Sequence, residues 1–577
     1  MRRAVYIVIH RIGTAGKTAA VMDQCSMFLS LGYSPTILTL NYDPTLASTV
    51  RRLRAESGIS DDVAIRNVHD DLRRASTIDP SADWSRHEDR RVDDLLAQDD
   101  ELSTKGYVRY FDERGTYIKF QRFSSSGSLV QTTYFENRRA VVRREYDDAG
   151  FCGKEIRYDI RTGNRNEERY YTPDGFCYAH AWFDPESGGL QGVYQNDRTS
   201  RSSRKYRDNV QWHNEWLRTI CSESSVKPIL IAESPSTVHK VTLLPEDTAD
   251  PIYVFHESHL DTPYRRGART RPEYDASFRK FAQMSSVVVM TDQQAQDIRD
   301  TYGDYRNLHV VPNLVRDKRS GEPVETVPGR IGVFSRLVEE KRIDHLIGQL
   351  GTIRQSIPTA HLEVFGQGPA RPDLERLAAE SGVKEQVRFH GRIGDVGDEM
   401  ARCAVTVSTS LRESFGLSVA ESLAVGTPVV AYDICYGPRD LIRHGHDGYL
   451  VASGDAKRLG EAISEVLEDP EAAGEMGRRG AERMKERFGR DAVAAQWEKL
   501  LEEAGRHTPV LVREPDLKVG TEQPAEPTAQ PTGATTATSA SGVVAARVVR
   551  RALRLAPRPV RSRLLSIARR VRRSTSR

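Results

Sequence analysis

Two separate runs of alternating apolar strand and helix constrain this chain more than any other feature. "AVYIVI" (residues 4–9) leads into a helix from about Thr18 to Leu31, and "SPTILTL" follows as a second strand. The same texture returns near residue 210 with "VKPILIAES", "PIYVFHESH" and "SSVVVMTD". A second series starts near 328 with "GRIGVFSRLVEEKRIDHLI" and continues through "AHLEVFGQGP", "QVRFHGRI", "AVTVSTS" and "TPVVAYDI". Strands and helices in alternation build parallel sheets covered by helices. Two such units facing one another leave a crevice at the carboxyl ends of their strands, where α/β proteins bind ligands.

The interruption between the first two runs has its own pattern. "YFDERG", "YDDAG", "YDIRTG", "YTPDG" and "FDPESGG" each place an aromatic before an Asp- or Pro-bearing turn closed by Gly, and the last four recur about every 12 residues. That spacing predicts an antiparallel meander inserted into the first α/β unit. The expected organisation is therefore an α/β unit over 1–78 and 210–327, a β-rich insertion over 79–209, and a second α/β unit over 328–504. A Pro-, Thr-, Ala- and Glu-rich stretch over 505–541 reads as a flexible linker. Residues 542–577 form a basic tail.

At 577 residues the chain has room for about three or four domains. No segment approaches the roughly 20 apolar residues of a membrane-spanning helix, and the N-terminus enters a strand without a signal-peptide pattern, so a cytoplasmic protein is expected. The six cysteines are scattered with no C-x-x-C pair, which argues against a disulfide framework or a zinc site. The net charge of +3 conceals an asymmetry: residues 542–577 carry twelve Arg and no acid, so the body is mildly acidic.

Several short stretches carry chemistry. "VYIVIHRIGTAGKTAAVM" resembles a nucleotide-triphosphate loop, but the Gly that should stand five residues before Gly16-Lys17 is Arg11, so the loop is too short to wrap phosphates. Asp292, at the end of "VVVMTD", could imitate the metal-binding acid of such a site, and the reading sets it aside. In the second unit, Arg336 and Lys341 of "FSRLVEEKR" follow a buried strand, where two cations can converge on a phosphate. In "ESFGLSVAE", Glu413 and Glu421 stand eight residues apart across a Gly-bearing turn and the start of a helix. Carboxylates accept sugar hydroxyls, and backbone N–H groups at the helix start can meet an anion. The bland alternatives are a solvated strand edge and an ordinary surface helix.

With "GTPVVAYDICYGPRDLI" and "GHDGYLV" following in order, residues 328–455 resemble the C-terminal half of the retaining glycosyltransferase family 4. The resemblance implies the GT-B fold: two Rossmann-like domains facing a cleft. The β-meander in the first domain is similar to that of the poly(glycerol- or ribitol-phosphate) α-glycosyltransferases of wall teichoic acid, and of the O-GlcNAc transferases of Ser-rich adhesins. The resemblance implies that Arg336 and Lys341 hold the diphosphate of a UDP-sugar, UDP-glucose or UDP-N-acetylglucosamine. Glu421 would bind the ribose and Glu413 the transferred hexose, with backbone at Phe415, Gly416 and Leu417 lining sugar and phosphate. In "HESH", His256 directly ends its strand and is placed near the reacting carbon; His259 is read as a hydrogen-bonded loop histidine. Gly16 would let the first loop approach the donor, with Lys17 as a phosphate or acceptor contact.

No D-x-D triplet occurs in the sequence, so transfer without a metal ion or other cofactor is expected. The acceptor is expected to be a polyol-phosphate polymer or a Ser-rich surface protein. Arg122, Arg138, Arg139, Arg143 and Arg144 of the insertion are candidate phosphate contacts, with aromatics beside them for sugars or for the meander's own core. Relatives also imply a homo-oligomer, commonly a trimer. A non-catalytic partner or chaperone is the alternative class, against which the intact Arg336, Lys341, Glu413 and Glu421 speak. In the tail, Val560, Leu564, Ile567 and Val571 fall on one helical face among arginines. That pattern reads as a peripheral anchor on the anionic inner face of the membrane, with nucleic acid as the other possibility.

Overall fold

The computed structural model describes residues 2–13, 16–57, 60–84, 96–97, 106–394, 396–505 and 511–513, and for Gly16, Lys17, Glu56, Ser57 and Ala282 the backbone alone. The basic tail and nearly all of the linker lie outside the described residues. Residues 1–518 form one compact unit, and among the described residues no helix is long and apolar enough to cross a membrane.

Strand Ala4–Ile9 is apolar along its length because both its faces are covered. Val5, Ile7 and Ile9 face one cluster of buried residues, Tyr6 and Val8 another. It lies inside a seven-stranded sheet whose order is Leu308–Val310, Ser286–Val289, Asp250–Val254, Ile229–Ala232, Ala4–Ile9, Ser34–Thr39, Ala64–Asn67. All its pairings are parallel. From Ala4–Ile9 the chain builds outward in one direction, then returns through Ile229–Ala232 and builds in the other. The carboxyl ends of these two strands therefore flank a crevice.

Ten strands, from Leu96–Ala97 to Ser202–Tyr206, form an antiparallel sheet in strict chain order, a meander. Its turns explain the repeated sequence pattern. Asp112, Asp147, Asp159 and Asp184 each accept backbone N–H groups two to four residues ahead, fixing the turn before the glycine closes it. The C-terminal half of the meander is bound tightly to the first parallel sheet. Tyr170, Tyr178, Ala179, Ala181, Phe183 and Val193 share a buried cluster with Val8, Leu38, Val68 and helix Asn209–Ser222. At this joint the His69 ring lies 4.4 Å from Tyr170 and 5.3 Å from Trp212, and burial pushes its pKa down to about 3, so the ring is neutral.

The second parallel sheet has six strands in the order Val387–Gly391, His361–Phe365, Val327–Phe334, Cys403–Ser408, Val429–Asp433, Gly448–Ala452. Its own reversal of order falls between Val327–Phe334 and Cys403–Ser408. The last helix, Arg490–Glu503, follows the second sheet in chain order yet packs on the first: Trp497 meets Phe28 edge-on at 5.3 Å, and Arg3 donates to the Ala504 carbonyl at 3.0 Å. Beyond it, Leu511–Arg513 pairs antiparallel with Asp304–Tyr305.

Candidate active site

The loops leaving the two central strands of the second sheet are stitched together. Leu411 N–H donates to the Glu340 carbonyl at 2.8 Å, Thr409 Oγ1 to the Lys341 carbonyl at 2.6 Å, and Arg342 Nε to the Thr409 carbonyl at 3.0 Å. This stitching brings Lys341 and Glu413 into direct contact through Nζ and Oε1. Ser410 completes the group, accepting from Lys341 at 3.3 Å and donating to Glu413 at 2.8 Å. A cation, a hydroxyl and a carboxylate thus converge at the switch point of the sheet.

Arg336 lies on the same loop with its side chain 68% exposed, and among the described residues its one ion pair is to Glu340, four residues on, at 3.2 Å. Glu340 also takes Arg412, whose guanidinium lies 5.3 Å from the ring centre of Tyr264 in the first half of the chain. Gly416 precedes helix Leu417–Ala424 with φ +85°, a left-handed conformation in which a side chain is strained. The Phe415 ring is 1% exposed and packs on Phe488 at 5.6 Å. Its backbone is enclosed with the ring. That backbone is approached so closely by Gly437 that a Cβ there would stand 2.3 Å from the Phe415 carbonyl oxygen. Glu421, one turn into the helix, pairs with Lys318 at 2.6 Å, apart from the Lys341–Glu413 group. Close by, Arg316 forms an ion pair with Asp23 of the first half at 2.7 Å, and burial holds the Asp23 carboxyl above its usual range against the pull of Arg316 and Lys318.

The facing wall is built by the first sheet. His256 stands two residues beyond strand Asp250–Val254, its Nε2 in contact with Oε2 of Glu233, the residue directly after the neighbouring strand Ile229–Ala232. Ser414 Oγ, beside Glu413, donates to the His256 carbonyl at 2.6 Å. The two halves of the site are joined by this bond. His259 behaves differently from the loop histidine the sequence predicts. It is buried, stacked 5.7 Å from Tyr436 and edge-on to Phe278, its Nδ1 has no partner among the described residues, and burial lowers its pKa to about 3. It is a packing residue. Gly16 and Lys17 open the helix Gly16–Ser30 after the loop from strand Ala4–Ile9, and the Lys17 side chain lies outside the described residues. In that loop Gly13 N–H donates to Thr18 Oγ1 at 3.0 Å.

Of the five candidate arginines in the insertion, three are already engaged. Arg144 is buried against Glu155 at 3.1 Å and lies over the rings of Tyr134 and Trp84; Arg143 lies over Tyr158; Arg139 donates to the Arg161 carbonyl at 2.6 Å. Arg122 and Arg138 have no ion pair among the described residues. Glu233, Ser410, Ser414 and Lys318 were not singled out from sequence. The signal for Glu233 was its place directly after a buried strand in "ILIAES".

Two parallel sheets meeting across a cleft, with polar and charged side chains at both switch points, are the architecture of the GT-B fold. Residues 317–483 match the family described as "Glycosyl transferases group 1", so this part of the chain carries that domain. The chain is 21% identical over 502 residues to the poly(ribitol-phosphate) alpha-N-acetylglucosaminyltransferase of Staphylococcus aureus (strain COL), covering 86% of this chain and 99% of the relative. It is 21% identical over 471 residues to the poly(glycerol-phosphate) alpha-glucosyltransferase of Bacillus subtilis (strain 168), covering 80% and 68%. Among solved structures, a mutant of S. aureus TarM in complex with fondaparinux, alpha-GlcNAc-glycerol and UDP superposes with a TM-score of 0.76 at 20% identity, over 86% of this chain and 99% of that one. The pneumococcal O-GlcNAc transferase GtfA in complex with UDP and GlcNAc gives 0.68 at 15%, over 87% and 99%.

Proposed function

We propose that the chain transfers a hexose, glucose or N-acetylglucosamine, from a UDP-sugar to a polyol-phosphate polymer of the cell envelope, with retention at the anomeric carbon. The observation that carries this reading is the convergence of Lys341, Ser410 and Glu413 at one switch point, tied through Ser414 to His256 at the other. Cleaving the anomeric carbon–oxygen bond puts positive charge on the sugar and negative charge on the departing UDP. Preorganised cations beside the diphosphate lower that barrier. Lys341 and Arg336 supply them in this reading, without a metal ion or other cofactor. Glu413, already an acceptor for Ser410 and Lys341, is suited to sugar hydroxyls, and Glu421 to the ribose. Front-face attack, with the leaving phosphate taking the acceptor proton, needs no protein nucleophile.

The choice of polymer is supported by the names of the two relatives above. A relative described as the GtfA subunit of a UDP-N-acetylglucosamine–peptide N-acetylglucosaminyltransferase supports a Ser-rich protein instead. Purified protein offered UDP-glucose or UDP-N-acetylglucosamine with each acceptor separates them. Transfer to polyol-phosphate is expected. Transfer to Ser-rich peptide alone rejects the polymer, and no turnover of any UDP-sugar rejects the enzyme in favour of a non-catalytic partner.

The tail joins this reading as a membrane contact. Each Arg near an anionic leaflet contributes about 1 kcal/mol, screened beyond a Debye length of about 8 Å at physiological salt. Truncation after residue 541 is expected to abolish co-sedimentation with anionic vesicles while leaving transfer to a soluble acceptor unchanged. Equal sedimentation of both forms rejects the anchor; binding to DNA and not to lipid selects nucleic acid.

A further inference from the structure

The first sheet ends in a buried acid that no motif marks. Glu233 is 1% exposed and stands at the switch point, where its strand lies against Ala4–Ile9. Its backbone is held on both sides. Its own N–H donates to the Val8 carbonyl at 3.4 Å, and the next residue, Ser234, caps helix Pro235–Val241. From this fixed position its carboxylate meets His256 Nε2.

A carboxylate on one imidazole nitrogen decides which nitrogen carries the proton. With Glu233 accepting at Nε2, that nitrogen is the N–H, and in the neutral ring Nδ1 keeps the lone pair. His256 Nδ1 has no hydrogen bond among the described residues, while the His256 carbonyl is held by Ser414 from across the cleft. The ring is therefore clamped from one side by Glu233 and its backbone from the other by the loop that carries Glu413.

We propose that Glu233 is a positioning residue for the transfer: it holds His256 in the Nε2–H tautomer and fixes the ring, so that Nδ1 accepts a hydrogen bond from a substrate hydroxyl in the cleft. This rests on the placement of His256 in the active site. Another buried acid contacts histidine Nε2, Glu363 with His390. That pair springs from the middle of strand His361–Phe365 and not from a strand end at the cleft, so Glu363 acts as a structural control.

The test combines Glu233→Ala, Glu233→Gln and His256→Ala with the double variant Glu233→Ala/His256→Ala. Loss of a correctly held acid–base or hydrogen-bonding imidazole costs about 10²-fold or more in kcat. Glu233→Ala is expected to show that loss with UDP affinity by calorimetry unchanged, and to add nothing in the His256→Ala background. In protein labelled with 15N-histidine, the His256 nitrogen shifts should report the Nε2–H tautomer in the parent and a mixture in Glu233→Ala. Glu233→Gln, whose amide oxygen still accepts from Nε2, should keep the tautomer and recover much of the rate. If Glu233→Ala does not fold, the Gln variant and its spectrum carry the test. An unaltered tautomer in Glu233→Ala, additive losses, or a Gln variant with lost tautomer and native kcat overturns the proposal. Near-native turnover of His256→Ala instead removes His256 from the site, a failure distinguishable from that of Glu233.

Discussion

Arg336→Ala lowers turnover by on the order of 10²- to 10³-fold and leaves the melting temperature where it was. The two halves of that expectation come from different observations. An exposed guanidinium paired, among the described residues, only with Glu340 contributes about 0.2–1 kcal/mol to stability. Its charge matters at the moment the diphosphate leaves, where a single preorganised donor is worth about 3–4 kcal/mol. Lys341 is a harder case, because it is also the counter-ion of the largely buried Glu413. Lys341→Ala combines lost catalysis with an uncompensated carboxylate, a change that costs about 3–5 kcal/mol when the pair is fully buried. Lys341→Gln keeps a donor toward Ser410 and Glu413 without the charge, and is expected to lose turnover with a smaller change in melting temperature. Glu421→Ala should separate from both: kcat falls less, and affinity for UDP alone weakens in calorimetry. Near-native turnover in Arg336→Ala and Lys341→Gln together removes the diphosphate role from this loop.

Much of this was legible in the chain because its physical cause is local. Apolar runs of four to eight residues became buried strands; "AVYIVI" is strand Ala4–Ile9 and "SPTILTL" supplies Ser34–Thr39. The Asp-to-Gly turns of the insertion announced hairpins because each aspartate satisfies its own turn's N–H groups. Lys341 and Glu413 were both nameable, but their contact spans 72 residues and exists only because adjacent parallel strands end side by side. The Glu233–His256 contact has the same origin: the place of Glu233 directly after a buried strand marks its position, but not its partner 23 residues on. The individual roles of the insertion's arginines were hidden for a related reason. Whether Arg144 faces solvent or Glu155 depends on strand register, and a shift of one residue exchanges the two faces.

That register has a consequence for how the insertion can be tested. Removing residues 100–200 would strip Tyr170, Tyr178, Ala179, Ala181, Phe183 and Val193 from the cluster that covers one face of the first sheet. Each large apolar side chain there contributes about 1.5–3 kcal/mol, against a total stability of about 5–15 kcal/mol. Such a deletion is expected to unfold the first half of the chain and to say nothing about the acceptor. A narrower cut over 107–145 removes the outer strands with Arg122, Arg138, Arg139, Arg143 and Arg144, and leaves the joint whole. Glu155 loses Arg144 but keeps Arg157 at 2.9 Å, and the new edge strand Cys152–Tyr158 carries Lys154 and Arg157, charges that discourage edge-to-edge association. This variant should fold, release sugar from its UDP donor at close to the parent rate, and lose transfer to polyol-phosphate polymer. Its mass in solution must be measured beside its activity, because the family resemblance of the sequence also implies a homo-oligomer. Full transfer to polymer by a folded 107–145 deletion would assign the outer strands to scaffold, and the polymer would then have to be held by the walls of the cleft itself.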